Sequence, residues 1–148
     1  MLCVPTYVAP SRIAGVGLFT ARDLPVGFVI WRFTEGVDWR LEPDAVARFP
    51  EPYGAMLRHY LYRDESGMYV LCGDNAKFMN HEDDPNCDDS GDVCTVTRRP
   101  VRAGDELTCD YRLFDLDAKS QGLRFPAVVA SREADPDPPG WNRSGRTG

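Results

Sequence analysis

Residues 73–87, GDNAKFMNHEDDPNC, decide how the rest of the chain is read. Asparagines, one histidine, one lysine and four acidic residues crowd around Phe78 and Met79. Asn75, Asn80, Pro85 and Asn86 all favour turns and local bonds between side chain and backbone, so the stretch cannot run as a regular strand. Core rarely carries so many polar groups. The reading is an irregular loop that function requires.

Working outward, residues 60–63 and 68–72 flank Asp64-Glu65-Ser66-Gly67 and form a predicted hairpin. Before it, Tyr53, Met56, Leu57 and Tyr60 fall at i, i+3, i+4 and i+7, the spacing of one helix face. A shorter helix is expected from Pro43, with Ala45, Val46 and Phe49 inward and Pro50 as its stop. From Tyr7 to Phe33, short apolar runs alternate with Pro and Gly, which is strand grammar, and residues 28–33 read as a buried strand. After the loop, residues 93–99 and 105–111 alternate as strands. In the last one Leu107, Cys109 and Tyr111 share the expected inner face, and Glu106, Thr108 and Asp110 the other.

With 148 residues the chain has room for one domain. We expect that domain over residues 1–117, an extension at 118–133 that packs on it through residues 123–129, and a disordered tail at 134–148. The formal charge of -6 argues against a nucleic-acid surface and suits a basic partner. Five cysteines, at 3, 72, 87, 94 and 109, form no CxxC, so no metal module is expected. Their odd count and the lack of a leader or a membrane-length apolar run predict a cytoplasmic protein without a membrane partner.

Three stretches occur in a fixed order: GVGLFTARDLPVG, AKFMNHEDDPN and VRAGDELTCDY. Together, over residues 7–117, they resemble the SET-domain family of protein lysine methyltransferases. That family carries a GxG before a hydrophobic strand, an RFINHSCxPN loop and a GEELTxDY strand. The resemblance implies a mostly β fold with short helices, β-clip-like, built of several small sheets with a knot-like threading near the C-terminal end. It also implies S-adenosylmethionine as methyl donor and a lysine-bearing protein or peptide as partner.

Residue by residue, the resemblance assigns the backbone of Gly15, Val16 and Gly17 to the methionine part of the cofactor. Asn80 and His81 bind cofactor, and Phe78 lies in the same segment. Lys77 stands where the family usually has Arg, which keeps a cation for the cofactor carboxylate but loses the planar fork. Tyr111 takes the position of the catalytic tyrosine, Phe114 walls the channel or lids the adenine, and Tyr60, Tyr62 and Tyr69 are further channel residues. Phe33 replaces a Tyr that many members carry.

Glu82-Asp83 replaces the family's Ser-Cys, and no CxC follows Tyr111, so the zinc-binding segment of some members is not expected. Residues 123–129 would then wall the channel, by folding back or by closing against a second copy as a homodimer. Read without the family, each feature has a plainer meaning: a tight turn at Gly15-Val16-Gly17, a buried polar pair at Asn80 and His81, a core tyrosine at 111. The acidic run Glu82, Asp83, Asp84, Asp88 and Asp89 allows a hard-metal site or a solvated rim for a basic peptide. A non-catalytic interaction module on the same scaffold is the remaining alternative.

Overall fold

The computed structural model describes residues 1–91 and 93–123. The expected extension beyond Leu123 and the tail lie outside these residues. Among the described residues, ten short strands make three small sheets, with α-helices between residues 43 and 58 and at Leu116–Gln121. Among the described residues, no helix is long and apolar enough to cross a membrane.

The first sheet has the order β1-β2-β10-β7, built from Thr6–Pro10, Val16–Thr20, Glu106–Cys109 and Asn80–His81. β10 lies antiparallel to β2 but parallel to β7, so it ties the loop around Asn80 to the start of the domain. The second sheet, β3-β9-β8, joins Val29–Arg32, Cys94–Thr97 and Cys87–Gly91. The third, β4-β6-β5, joins Trp39–Leu41, Tyr69–Leu71 and Leu61–Arg63. Leu18, Ile30 and Leu107 are wholly buried where the first two sheets face a shared core.

The predicted hairpin is β5 and β6, and Asp64 closes its turn by accepting bonds from Ser66 N and Met68 N. The helix α1, Pro43–Ala47, starts on its proline and buries Val46. In α2, Tyr53–Arg58, the expected apolar face is corrected: Leu57 is buried, but Tyr53 and Met56 are 51% and 54% exposed. The helix is under two turns long, so its periodicity has too little length to select a face.

Three strands escaped the sequence: the two-residue β7 inside the stretch read as an irregular loop, and β4 and β8. β4 has only three residues, and β8 begins at Cys87 inside an acidic stretch with poor strand propensity. Pairing with β9 holds β8 in place. The last strand also ends earlier than its alternation suggested. Asp110 accepts a bond from Arg112 N and turns Tyr111–Leu113 into a 3-10 segment, so Tyr111 leaves the sheet. Thr108, expected outward, is buried because Asn86 and Glu82 cover it, with Asn86 Oδ1 accepting from Thr108 N at 2.9 Å. From Leu116 to Gln121 the chain is helical. Asp115 caps α3, Leu116–Gln121, and Ala118 is buried.

Candidate active site

Asn80 joins the three motifs. Its Nδ2 donates to the carbonyls of Ala14 and Val16, at 3.2 and 3.1 Å, and to Glu106 Oε1 at 2.8 Å. Glu106 Oε2 in turn accepts from Ser11 Oγ at 2.9 Å. The glycine turn, the loop and the last strand are thus held by one amide and one carboxylate. Gly15 has φ +46 and open space around it, so its lack of a side chain serves the backbone turn. Gly17 serves another end: a Cβ there would lie 2.1 Å from Glu106 Oε1.

Tyr111 is fixed at both ends. Its N–H donates to His81 Nδ1 at 3.2 Å, and its hydroxyl donates to the Met79 carbonyl at 2.8 Å. An Nδ1 that accepts carries no hydrogen, so this bond selects the tautomer with the proton on Nε2. His81 Nδ1 and Nε2 also lie 3.6 and 3.5 Å from Asp110 and Asp83. Burial, then the negative charge of Asp115 and Asp89, raises the phenol above its ordinary range. Tyr111 therefore keeps its proton at neutral pH, committed to Met79, with its oxygen lone pairs left as acceptors.

An aromatic row runs on from there. Tyr111 meets Phe114 edge-on at 5.9 Å between centroids, and Phe114 meets Tyr62 at 5.0 Å. This row lines a cavity of about 580 Å³ between the second and third sheets and the 3-10 segment. Of the residues predicted from sequence, Lys77, Tyr60, Tyr62, Tyr111 and Phe114 line it, as does Phe33. Gly15, Val16, Gly17, Phe78, Asn80 and His81 do not line it; Asn80 is bonded to the glycine turn through the Val16 carbonyl, and His81 to the Tyr111 N–H.

Tyr69 is the one channel residue that the structure moves elsewhere. It does not line the cavity, and its hydroxyl donates to Asp117 Oδ2 at 3.4 Å. In β6 its neighbour Val70 points inward instead. Lys77 Nζ donates to the Asp74 carbonyl at 2.8 Å and lies 5.1 Å from the Phe78 ring centre. Two of its three hydrogens remain for a ligand carboxylate. Phe78 packs edge-on against Tyr60 at 5.6 Å.

The acidic run is divided. Asp83 pairs with Arg112 at 2.8 Å and Asp84 with Arg99 at 3.0 Å, so much of the expected acidic rim is already countered by arginine. Glu82 accepts from Thr108 Oγ1. Among the described residues, no group of three or more His, Cys, Asp or Glu is arranged to hold a metal. Burial pushes the Cys72 and Cys87 thiols up to about 12 and Cys109 well above its usual range. Such thiols stay protonated and are poor nucleophiles.

Sequence reasoning missed four participants: Glu106, Met79, Trp31 and Asp89. Glu106 and Met79 lie inside the quoted motifs, so register within β10 and the loop was the available signal. Nothing local could have turned Asp89 into the cavity, because that orientation depends on the pairing of β8 with β9.

Comparison with known proteins bears on the family and the fold. A family model described as the SET domain matches residues 15–112. The Drosophila melanogaster histone-lysine N-methyltransferase trr is 30% identical over 128 residues, covering 79% of this chain and 5% of that protein. The Homo sapiens histone-lysine N-methyltransferase 2D is 28% identical over 122 residues, covering 75% of this chain and 2% of that protein. This chain therefore spans a small part of the length of these relatives. A humanized mutant of the Chaetomium thermophilum Polycomb Repressive Complex 2, bound to the inhibitor GSK126, superposes with TM-score 0.57 at 21% identity, over 78% of this chain and 16% of its own. An apo ctPRC2 with two substitutions in Ezh2 gives TM-score 0.59 at 22% identity, over 80% and 16%. With its motifs joined through Asn80 and the family model matched across both, the chain belongs to the SET domain family.

Proposed function

We propose that the chain is an S-adenosylmethionine-dependent methyltransferase acting on the ε-amine of a lysine in a protein or peptide. The observation that carries this reading is Tyr111: a phenol held at both ends, its proton given to the Met79 carbonyl, at the wall of an aromatic cavity. The residues fit the donor. Lys77 offers a cation for a carboxylate, the open turn at Gly15 admits a close main-chain approach, and Phe114 offers a flat apolar wall. The names of the relatives make histones the first substrates to try.

Bound S-adenosylmethionine supplies a methyl group on a positively charged sulfur. The protein's own work is alignment and control of one proton. Holding reacting atoms in line lowers the barrier by as much as ~7–11 kcal/mol. A lysine near its usual pKa spends about 4 kcal/mol to be a free amine at neutral pH. A cavity walled by Tyr60, Tyr62, Phe114 and Tyr111 reduces that cost, because a low-polarity channel disfavours the ammonium. The Tyr111 oxygen, unable to donate while its hydrogen rests on Met79, accepts from the amine and turns its lone pair inward.

Tyr111→Phe tests the role. The variant keeps the ring but loses the acceptor, and kcat should fall about 100-fold or more, with the affinity for S-adenosylhomocysteine within about twofold. Wild-type turnover in this variant would remove Tyr111 from the mechanism.

A further inference from the structure

One carboxylate in the cavity has no use in the mechanism above. Asp89 Oδ1 accepts from Thr95 Oγ1, but Oδ2 is shielded from solvent and makes no hydrogen bond among the described residues. The Cys109 thiol lies near enough to Asp89 to favour its charged form, and its Sγ also lies 4.0 Å from the Asn80 carbonyl. Trp31 Nε1, a buried donor on the same lining, is also without a partner. Trp31 and Thr95 face one another across β3 and β9, so both orphaned atoms belong to one corner.

The other acids on the lining are engaged. Asp64 bonds to Arg40 at 3.2 Å, Glu65 to Lys119 at 2.8 Å, and Asp115 accepts from the backbone of Arg63 and Asp117. Asp89 has no ion-pair partner among the described residues. Its charge is felt by Tyr62 and Tyr111, so it lies close to the aromatic row. An enclosed carboxylate is costly unless something pairs with it, and the vacant partner must be a cation or donor that enters the cavity.

We propose that Asp89 forms an ammonium subsite that holds the charged nitrogen of the substrate before it is deprotonated. This rests on the methyltransferase reading. Pairing stabilises the ammonium, which must still lose its proton to solvent before attack, so Asp89 helps capture the substrate rather than transfer the methyl. An interaction made with the bound ammonium and lost before the transition state lowers KM and kcat together, so its removal raises KM without lowering kcat. The amino end of S-adenosylmethionine is a second source of ammonium, and the experiment separates the two.

Asp89→Asn keeps the bond to Thr95 and removes the charge. Three quantities are measured in wild type and variant: affinity for S-adenosylhomocysteine, kinetics with a lysine peptide, and the affinity ratio of that peptide to one with norleucine in place of lysine. The expected result is an unchanged S-adenosylhomocysteine affinity, a KM raised about tenfold or more with kcat undiminished, and a lysine-to-norleucine ratio lowered by about the same factor. An unchanged ratio would mean that the corner holds only a water and would overturn the proposal. A fall in kcat at constant KM would overturn it in favour of a base. Weakened S-adenosylhomocysteine binding with normal peptide discrimination would move the ammonium to the methyl donor and overturn it as well. If Asp89→Asn does not fold, Asp89→Ser is judged by the same ratio. Wild-type protein that neither binds S-adenosylhomocysteine nor methylates any peptide fails the broader reading instead.

Discussion

Asp89 costs stability to keep. Burial lifts its carboxyl to about 6, so the folded state holds a proton that the unfolded chain has already lost. The sign follows: between the ordinary carboxylate range and about 6 the folded state binds more protons, and stability falls as pH rises through that window. At about pH 8, Asp89→Asn should therefore stabilise the protein by roughly 2–3 kcal/mol, and at about pH 4 it should change little. Thermal melts at both values check this, and equal shifts at the two would contradict an enclosed, uncompensated charge. The acidic run made Asp89 visible in the sequence only as one of five similar residues. The structure separates it from Asp83 and Asp84, which find arginines outside while it turns inward.

At the scale of elements, the junction of β2, β7 and β10 carries the site. The motif order was legible, and so was the β character of the flanks, because GxG and GDELTCDY are local patterns. What remained hidden was the bond that links them. Asn80 reaches the glycine turn and Glu106 only after β7 has paired in parallel with β10, a contact between distant parts of the chain. Gly17→Ala tests the junction. The added carbon must displace the Glu106 side chain, so the bonds to Asn80 and Ser11 are lost at a cost of about 1–2 kcal/mol. Affinity for S-adenosylhomocysteine should fall about tenfold or more by calorimetry. If affinity is unchanged, the glycine turn does not depend on Glu106. The same dependence on distant pairing explains β8, which its own acidic sequence could not announce, and Tyr111, which one capping aspartate removes from the strand.

Among the described residues, three small sheets share a core, and the second and third flank the aromatic cavity, which the 3-10 segment also lines. A six-residue helix has little periodicity to offer, so α3 was not legible in the sequence, yet Asp115 caps it and Ala118 anchors it. Ending the chain at Asp117 removes that anchor and the Lys119–Glu65 ion pair at the cavity edge. We expect the truncated protein to lose about 1–2 kcal/mol of stability and to methylate peptides more slowly. Rates equal to those of the full chain would show that nothing after Asp117 walls the channel.

The central claim is methyl transfer to a lysine across a cavity governed by Tyr111. Its most direct test is mass spectrometry of a lysine-rich protein panel, histones included, after incubation with isotopically labelled S-adenosylmethionine and either the wild-type chain or Tyr111→Phe. The account predicts label on lysine side chains with wild type and loss of nearly all of it with the variant. No labelled lysine with wild type, or equal labelling by both proteins, would contradict it.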